Sequence, residues 1–423
     1  MRARIVTFIG INGIKAMSNK EKIFSPSFFI TLLTFQLALP ILSTDIYLPS
    51  LKEIGYFFNT EPAHVQLSLT VYFVIFGVAQ LFYGPLSDCF GRKPLFLLSL
   101  SIYTIASVLC ILATTIQALI IGRCLQALGS GGAVLVFAII RDLYEGKQAA
   151  KLIAYMSAVV AISPIIGPIL GGIIQSLLSW QYNFVLLALI GLFLLLLSGF
   201  IPETNQKQKF SAAFLKEIGS HYRYLFTSRH YLSNALSAAF AFGALFAYVS
   251  GAPYVFLNLM GYSSVAFGWI FAIAAIGYVV GAFVNGKLIS RFGVNAMSKI
   301  GIFFLVSGSI AMPLFCYAYP LNPFAIVLPQ IVCEFGISVV ISTCIAKALQ
   351  PIPQCAGTGM ALLGFLRFLA ASGSSGLMMV CEGSTALPLA FTVLGFSLVS
   401  LFFHWWERDC HSTIHEGHQR LLC

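Results

Sequence analysis

Long apolar stretches separated by short polar segments run through this sequence from residue 28 to residue 406. A helix needs about 20 mostly apolar residues to cross the hydrocarbon core of a bilayer. The pattern therefore predicts twelve membrane-spanning helices, which we number 1 to 12 in chain order. The predicted spans are 28–50, 65–87, 94–114, 117–140, 151–177, 182–201, 231–256, 264–287, 298–319, 323–347, 356–379 and 385–406.

The longest polar stretch within this pattern separates the spans into two sets of six, and it predicts a linker between two helical bundles. The fold class is therefore an all-α membrane protein with two six-helix bundles around a central cavity. The expected organisation is a cytoplasmic N-terminal segment 1–27, an N-terminal bundle 28–201, a cytoplasmic linker 202–230, a C-terminal bundle 231–406 and a cytoplasmic tail 407–423.

A short pattern recurs after the second helix of each set. Residues 84–91 read GPLSDCFG and residues 286–293 read GKLISRFG, so that Gly, Leu, Phe and Gly recur 202 positions apart. Parallel repeats of six helices are one architecture of secondary transporters, with the substrate site at the repeat interface near the bilayer midplane. The repeat and the helix number together favour a secondary transporter.

The composition agrees with a membrane protein and excludes several other classes. Hydrophobic residues make up 59% of the chain and charged residues only 9%, whereas a soluble domain carries about 25% charged residues. The net charge of +10 does not indicate nucleic acid, because the cations lie between apolar stretches and form no single patch. The ten Cys residues include no CxxC pair, and no phosphate-binding loop is present in the sequence. We expect no cofactor, no metal site and no nucleic-acid partner.

The positions of Lys and Arg predict the orientation of the chain, since cytoplasmic loops carry an excess of both. If the N-terminus is cytoplasmic, 21 of the 24 Lys and Arg residues lie on the cytoplasmic side, in the N-terminal segment, the tail and the loops after even-numbered helices. The opposite side holds Lys52 alone, and the remaining two, Arg123 and Arg367, fall within predicted spans. The count predicts that both termini are cytoplasmic.

The loop after helix 2 is the most specific signal. Residues 84–94 read GPLSDCFGRKP, in which glycine permits a tight turn and an acid can pair with a cation or a helix N-terminus. The loop resembles a signature of the major facilitator superfamily, where the acidic residue belongs to a cytoplasmic latch. That family often has Arg directly after the Asp, where this chain has Cys89, so the latch must use another cation. A solvated turn whose charges only set topology is the alternative. The resemblance implies a latch of Gly84, Asp88, Gly91, Arg92 and Arg141.

Helix 4 contains a second motif, since residues 123–132 read RCLQALGSGG. It resembles the R-x-x-Q-G pattern of the same superfamily, although the Gly comes later here. An arginine inside the membrane costs about 2.5–3.5 kcal/mol on insertion scales, so Arg123 should face a cavity or a partner. The alternative is that its side chain extends to the outer interface.

Helix 5 contains a third motif, since residues 163–172 read SPIIGPILGG. Glycines at this spacing let helices approach closely, and proline kinks a helix. The segment resembles the G-P-x-x-G-G core of the antiporter signature of drug/proton exchangers, with simple helix packing as the alternative. The matching residues are Gly167, Pro168, Gly171 and Gly172.

The end of helix 1, LSTDIYLPS at 42–50, and the end of helix 4, RDLY at 141–144, extend the resemblance to the Bcr/CflA branch of drug-resistance exporters. The resemblance covers residues 28–204 well. In the second half of the chain, the pattern of helices matches the family more than the motifs do. The resemblance implies a monomer in the bacterial inner membrane, not an enzyme, that exports small amphipathic molecules as protons enter. A proton-coupled importer of a nutrient or metabolite on the same scaffold is the alternative. A membrane-bound receptor or enzyme would need a signalling domain or a polar catalytic cluster, and the sequence shows neither.

Four charged residues within the spans are predicted to act in proton coupling or substrate binding. Asp45, near the outer end of helix 1, is the predicted proton-coupling carboxylate, with Arg123 at similar depth on helix 4. The alternative is that Asp45 only ends the helix. Glu334 and Arg367, midway along helices 10 and 11, are predicted to face each other or a shared aqueous cavity, because unpaired buried charges are costly. Two separately hydrated charges are the alternative. The aromatic residues predicted to line the cavity are Tyr47, Tyr72, Phe76, Phe240 and Tyr248.

Overall fold

The computed structural model describes residues 26–144, 146–205, 212–352, 355–380 and 383–420. Within these ranges all regular secondary structure is helical. Most of the predicted N-terminal segment and residues 206–211 of the predicted linker lie outside the described residues. Helix 1 comprises Pro26–Asp45 and continues through the short helices Leu48–Ser50 and Leu51–Phe57, helix 2 comprises Pro62–Phe90, and helix 3 comprises Arg92–Ile111. Helix 4 comprises the consecutive pieces Ile116–Ser130, Gly131–Ala133 and Val134–Leu143. Helix 5 comprises Gly146–Val160 and Ser163–Leu177, and helix 6 comprises Gln181–Ser198.

The second set begins after a separate linker helix, Ala212–Thr227. Helix 12 extends beyond its predicted end at residue 406 and reaches Arg420, so part of the predicted tail is helical. Helix 7 comprises Arg229–Pro253 and continues as Tyr254–Leu259, and the long helix Ser264–Ala318 contains helices 8 and 9. Helix 10 comprises Pro323–Leu349, helix 11 Ala356–Val380 and helix 12 Leu387–Arg420.

The described helices account for the twelve predicted passes. Ten are long and apolar enough to cross a bilayer. One of them, Ser264–Ala318, has 55 residues and would be about 80 Å long if straight, far more than the roughly 30 Å of a bilayer core. Gly293 interrupts it with φ 78° and ψ 162° and divides it into helices 8 and 9. Helix 5 supplies the remaining pass in two shorter pieces, because its second piece begins with Ser163 and Pro164, and proline provides no backbone N–H.

Glycines set the closest approaches between helices within each half. A Cβ on Gly129 of helix 4 would lie 2.7 Å from the Ser99 carbonyl oxygen of helix 3. A Cβ on Gly336 of helix 10 would lie 2.6 Å from the Gly301 carbonyl oxygen of helix 9. Small residues allow backbones to pack at such distances in a membrane. The packing of helices 3 and 4 therefore recurs in helices 9 and 10.

The two halves meet along two helix pairs. In the first, Gly77 of helix 2 faces Phe368 of helix 11, where a Cβ would lie 3.0 Å from the Phe368 Cβ. In the second, Gly268 of helix 8 packs against the Pro168 backbone of helix 5, and a Cβ there would lie 3.0 Å from the Pro168 carbonyl carbon. One predicted motif residue, Pro168, thus lies at the boundary between the halves.

Hydrogen bonds also join the halves at the end that the charge count predicts to be outside, which we call the outer end. The Lys52 ammonium donates to the Leu257 carbonyl oxygen at 2.8 Å. The hydroxyls of Thr70 and Ser375 lie 2.7 Å apart. Further bonds run from Gln66 Nε2 to the Ser250 carbonyl oxygen at 3.3 Å and from Ser264 Oγ to the Pro49 carbonyl oxygen at 2.9 Å.

Candidate functional site

Asp45 lies at the point where the regular part of helix 1 ends. The chain turns there and continues as the short segment Leu48–Ser50, with Pro49 inside it. Asp45 is only 4% exposed. Its Oδ1 accepts a hydrogen bond from Thr44 Oγ1 at 3.3 Å, and its Oδ2 is buried without a partner among the described residues. Asp45 is therefore a buried carboxyl group with free hydrogen-bonding capacity.

The helix 5 motif holds the end of helix 1 in place. A Cβ on Gly167 would lie 2.7 Å from the Cβ of Asp45, and a Cβ on Gly171 would lie 2.8 Å from the carbonyl carbon of Ile46. Gly172 faces the other half, where a Cβ would lie 2.9 Å from the Ser264 carbonyl carbon. Gly167 and Gly171 thus let helix 5 contact the backbone beside the carboxyl group, and Gly172 lets it contact helix 8.

Arg123 occupies an aromatic cage within the N-terminal half. It is fully buried, and its guanidinium carbon lies 4.8 Å from the ring centre of Tyr47, 4.3 Å from that of Tyr72 and 5.9 Å from that of Phe184. Aromatic faces attract a guanidinium, more strongly where water is excluded. The cage offsets part of the cost of placing this cation in the membrane.

Polar groups complete the surroundings of Arg123. Its Nη1 donates to Gln126 Oε1 at 2.6 Å and to the Ser43 carbonyl oxygen at 3.1 Å. Gln126 in turn donates to Ser107 Oγ at 2.8 Å. Ser43 precedes Asp45 by two residues, so the cation is held close to the end of helix 1. Among the described residues, however, no ion pair joins Arg123 to Asp45.

The charged residues of the C-terminal half lie apart in a similar way. Glu334 is 2% exposed and accepts a hydrogen bond from Gln330 Nε2 at 3.2 Å. The Arg367 guanidinium carbon lies 4.2 Å from the ring centre of Phe242. The described residues show no ion pair between Glu334 and Arg367.

Of the predicted cavity residues, Phe76 lies at the boundary between the halves, and Tyr248 packs within the C-terminal half. Tyr248 stacks on Phe271 with ring centres 5.4 Å apart, and its buried hydroxyl has no partner among the described residues. Phe76 meets Phe368 of helix 11 edge to face at 4.5 Å. Phe240 lies elsewhere, stacked on Phe403 of helix 12 at 5.7 Å. Its role in the cavity stays a prediction.

Several residues of the site were not singled out from the sequence. Gln126 accepts a hydrogen bond from Arg123, and Gln330 donates one to Glu334. Gln126 is part of the helix 4 motif, but the sequence analysis assigned it no role. Phe242, Phe246 and Phe368 form an aromatic cluster, with Phe242 4.5 Å from Phe246 and 5.2 Å from Phe368 between ring centres. Among 38 phenylalanines, no spacing in the sequence distinguishes these three.

The predicted latch is centred on Arg92. Its guanidinium pairs with Asp88 at 2.6 Å and with Asp142 at 3.0 Å, and it also donates to the Ser87 hydroxyl. Gly91 adopts φ 102° and ψ 152° between helices 2 and 3, which is why a glycine is needed there. The cation of the cluster is therefore Arg92.

Glu203, which the sequence did not single out, caps helix 3 beside this cluster. It accepts hydrogen bonds from the backbone N–H of Arg92 at 2.8 Å and of Lys93 at 3.3 Å, at the helix end where N–H groups have no partner within the helix. Of the other residues assigned to the latch, Arg141 is exposed, and open space surrounds Gly84.

The comparisons with known proteins agree with these features. A family model of the Major Facilitator Superfamily matches residues 24–375. The chain is 29% identical over 392 residues to the bicyclomycin resistance protein homolog of Haemophilus influenzae, covering 92% of this chain and 97% of that protein. It is 26% identical over 393 residues to multidrug resistance protein D of Escherichia coli, covering 90% and 96% of the two chains.

Solved structures show the same fold at low sequence identity. The crystal structure of a bacterial homolog of the human lysosomal transporter Spinster, inward-facing and unoccupied, matches with a TM-score of 0.69 at 16% identity and covers 91% of this chain and 98% of its own. A D-xylose–proton symporter matches with a TM-score of 0.70 at 15% identity, covering 90% and 97%. The resemblance indicated by the motifs is confirmed, and the named relatives come from the expected drug-resistance branch.

Proposed function

This chain belongs to the major facilitator superfamily, and we propose that it is a proton-coupled transporter that exports small amphipathic molecules by alternating access. It works as a monomer in a bacterial inner membrane with both termini in the cytoplasm. Three relatives are named for resistance to bicyclomycin, to several drugs and to chloramphenicol. These names make bicyclomycin and chloramphenicol the first compounds to test.

One observation carries the proposal: Asp45 is a buried carboxyl group, one of whose oxygens has no hydrogen-bond partner among the described residues, beside contacts that join the two halves. Burial without a counter-ion favours the neutral acid, whereas water or a nearby cation favours the carboxylate. Opening or closing the cavity changes this balance. Asp45 can therefore bind a proton on one side of the membrane and release it on the other.

Arg123 serves in this mechanism as a fixed cation. Its cage of Tyr47 and Tyr72 and its bond to Gln126 hold the guanidinium in one place. It donates to the Ser43 carbonyl oxygen, and among the described residues no ion pair joins it to Asp45. The Asp45 carboxyl group therefore remains available to bind a proton.

Alternating access requires contacts that form on one side and break on the other. The hydrogen bonds of Lys52 and Thr70 to the C-terminal half lie at the outer end. They favour a state closed toward the outside, in which the cavity takes up substrate from the cytoplasm. The cluster of Arg92 at the opposite end belongs to the N-terminal half alone and moves with it as a unit.

The test is Asp45→Asn in purified protein reconstituted into vesicles. We expect the variant to bind chloramphenicol as the parent does, since the amide has the same size as the carboxyl group. Chloramphenicol-induced proton release and transport driven by a pH gradient should both be lost. Glu53→Gln is the matched control, because Glu53 is an exposed carboxylate eight positions further on in the same region. An Asp45→Asn variant that exchanges protons at the parent rate would contradict the proposal.

The direction of flux separates export from import. In vesicles of known orientation, an exporter moves substrate out of the cytoplasmic compartment as protons enter it. The helix 5 motif favours this direction because it resembles the antiporter signature. Substrate and protons moving the same way would establish the importer.

A further inference from the structure

A contact between an arginine and a tryptophan joins helices 7 and 12 at the end of the molecule opposite the outer end. Helix 7 begins at Arg229, whose guanidinium carbon lies 5.1 Å from the ring centre of Trp406 on helix 12. Arg229 Nη2 also donates to the Trp406 carbonyl oxygen at 3.3 Å, across 177 positions of sequence. These two contacts fix the direction of a cation that is otherwise exposed.

This contact lies at the depth where the hydrocarbon core of the membrane ends. The apolar span of helix 12 runs from Leu387 to Trp406, and the apolar span of helix 7 begins at Arg229. Trp405, the neighbour of Trp406, is 56% exposed. Tryptophan is enriched at the boundary between lipid and water because its ring is apolar and its N–H group is polar. An exposed tryptophan at this depth contacts lipid.

The linker helix brings further basic and aromatic side chains to the same place. Leu225 is fully buried in a cluster with residues of helices 7 and 11, which holds the linker helix against the C-terminal half. Arg223 and Tyr224 on the same helix are exposed. The backbone N–H of Ser228 donates to the Tyr224 carbonyl oxygen, so the linker helix ends directly beside the start of helix 7. Arg223 and Arg229 therefore lie on either side of one junction.

The cations of this junction have no anionic partner in the protein. Residues 218–230 include no Asp or Glu, and neither Arg223 nor Arg229 forms an ion pair within the part of the chain that the structure describes. Membrane topology requires only that cations lie on this side. It does not require a guanidinium to be stacked on another helix. Arg291, for example, is also exposed but lies only against Phe292, its neighbour in the chain.

We propose that this junction binds the headgroup of an anionic phospholipid. The Arg229 guanidinium contacts the phosphate, since its planar set of N–H donors fits phosphate oxygens, and the exposed Trp405 ring contacts the lipid beside it. Anionic lipids attract each nearby Lys or Arg by about 1 kcal/mol. The binding surface consists of Arg223, Tyr224, Arg229, Trp405 and Trp406. The proposal concerns the surrounding membrane and holds whichever molecule the protein transports.

The experiment measures lipid preference next to the two tryptophans of helix 12. The full-length protein is reconstituted into vesicles of phosphatidylglycerol and phosphatidylcholine, one of which carries brominated chains that quench the fluorescence of tryptophans in contact with them. Of the other two tryptophans, Trp180 is only 3% exposed, and Trp269 is 55% exposed and is removed by Trp269→Phe in every sample. Quenching then reports mainly on lipid beside Trp405 and Trp406.

Three variants in this background test the individual contacts. Arg229→Gln should lower the preference for phosphatidylglycerol about fivefold, the equivalent of one cation near an anionic lipid. Trp406→Leu, observed through Trp405, should lower it about twofold, because the guanidinium loses the ring that fixes its direction. Arg291→Gln is the matched control and should keep the parent preference. Thermal unfolding in phosphatidylcholine checks that each variant is folded.

A soluble compound separates a lipid site from a site for free phosphate. Glycerol 3-phosphate carries a similar phosphate group without acyl chains, and at millimolar concentration it should not reduce quenching by brominated phosphatidylglycerol.

Four results would overturn the inference. The first is an Arg229→Gln variant with the parent preference. The second is an equal loss in Arg291→Gln, which indicates a general attraction of the charged surface. The third is a Trp406→Leu variant with the parent preference, because the stacked arginine would then have no part in binding. The fourth is displacement of the brominated lipid by glycerol 3-phosphate, which indicates a soluble ligand.

Discussion

The turn between helices 2 and 3 and the turn between helices 8 and 9 have the same backbone but different chemistry. Gly91 and Gly293 occupy equivalent places 202 residues apart, and both adopt positive φ, 102° and 78°. In the first turn Arg92 joins Asp88 and Asp142. In the second turn the positions equivalent to Arg92 and Asp88 hold Val294 and Ser290. The two turns therefore share the glycine that the backbone needs, and they differ in the ion pairs, which the first turn has in addition.

The second turn has its own charges, but they are exposed and bound to aromatic rings. The Arg291 guanidinium carbon lies 5.6 Å from the ring centre of Phe292, and the Lys287 ammonium lies 4.3 Å from that of Phe283. Such contacts between neighbours on one helix do not connect separate helices. The ion pairs of the first turn do connect them, because Asp142 comes from helix 4. Among the described residues, ion pairs connect separate helices at the first turn and not at the second.

The largest expected effect comes from removing the central cation of the first turn. Arg92→Gln leaves Asp88 and Asp142 facing each other without a counter-charge, and a lost hydrogen bond to a charged group costs about 1–3 kcal/mol. The Arg92 side chain is only 11% exposed, so solvent screens the loss incompletely. We expect pH-driven transport to fall at least about fivefold.

Arg291→Gln is the matched change in the second turn and should transport at close to the parent rate. Transport assays in vesicles at equal protein density compare the two variants directly. Equal losses would show that both turns act as latches and would remove the distinction drawn above.

A smaller and symmetrical effect is expected for the two glycines. Gly91→Ala and Gly293→Ala each place a Cβ at positive φ, which costs roughly 1–2 kcal/mol for a residue other than glycine. Thermal unfolding in detergent should show a similar loss of stability for both. Gly84→Ala is the control, because open space surrounds Gly84. A loss confined to Gly91→Ala would mean that the second turn can relax and that the shared backbone is not required.

The smallest effect is expected from transplanting the ion pair. Ser290→Asp combined with Val294→Arg recreates the pair of Asp88 and Arg92 in the second turn. An exposed pair contributes only about 0–1 kcal/mol, and the two substitutions introduce no counterpart of Asp142. Transport and stability should both stay near the parent values. A strong inhibition of transport would show that the pair suffices to lock a turn.

The sequence predicted some parts of the site well, for reasons that particular residues illustrate. The motif around Gly91 and Arg92 predicted the turn, which depends on neighbours in the chain, whereas the latch stays a prediction. The choice between Arg92 and Arg141 as the cation stayed open, because it depends on which side chain reaches Asp142. Glu203 was missed because it is 111 residues from the N–H group of Arg92 that it caps.

Hydrophobic pattern determined the all-helical, membrane-spanning class, because a helix in lipid satisfies its own backbone and needs only a sufficiently long apolar stretch. The tertiary structure alone decided the pairing of the buried charges. From sequence, Asp45 could pair with Arg123 and Glu334 with Arg367. Instead, two tyrosines and Gln126 engage Arg123, and Phe242 lies against Arg367. Among the described residues neither acid forms an ion pair with an arginine, because side chains far apart in sequence compete for each buried charge.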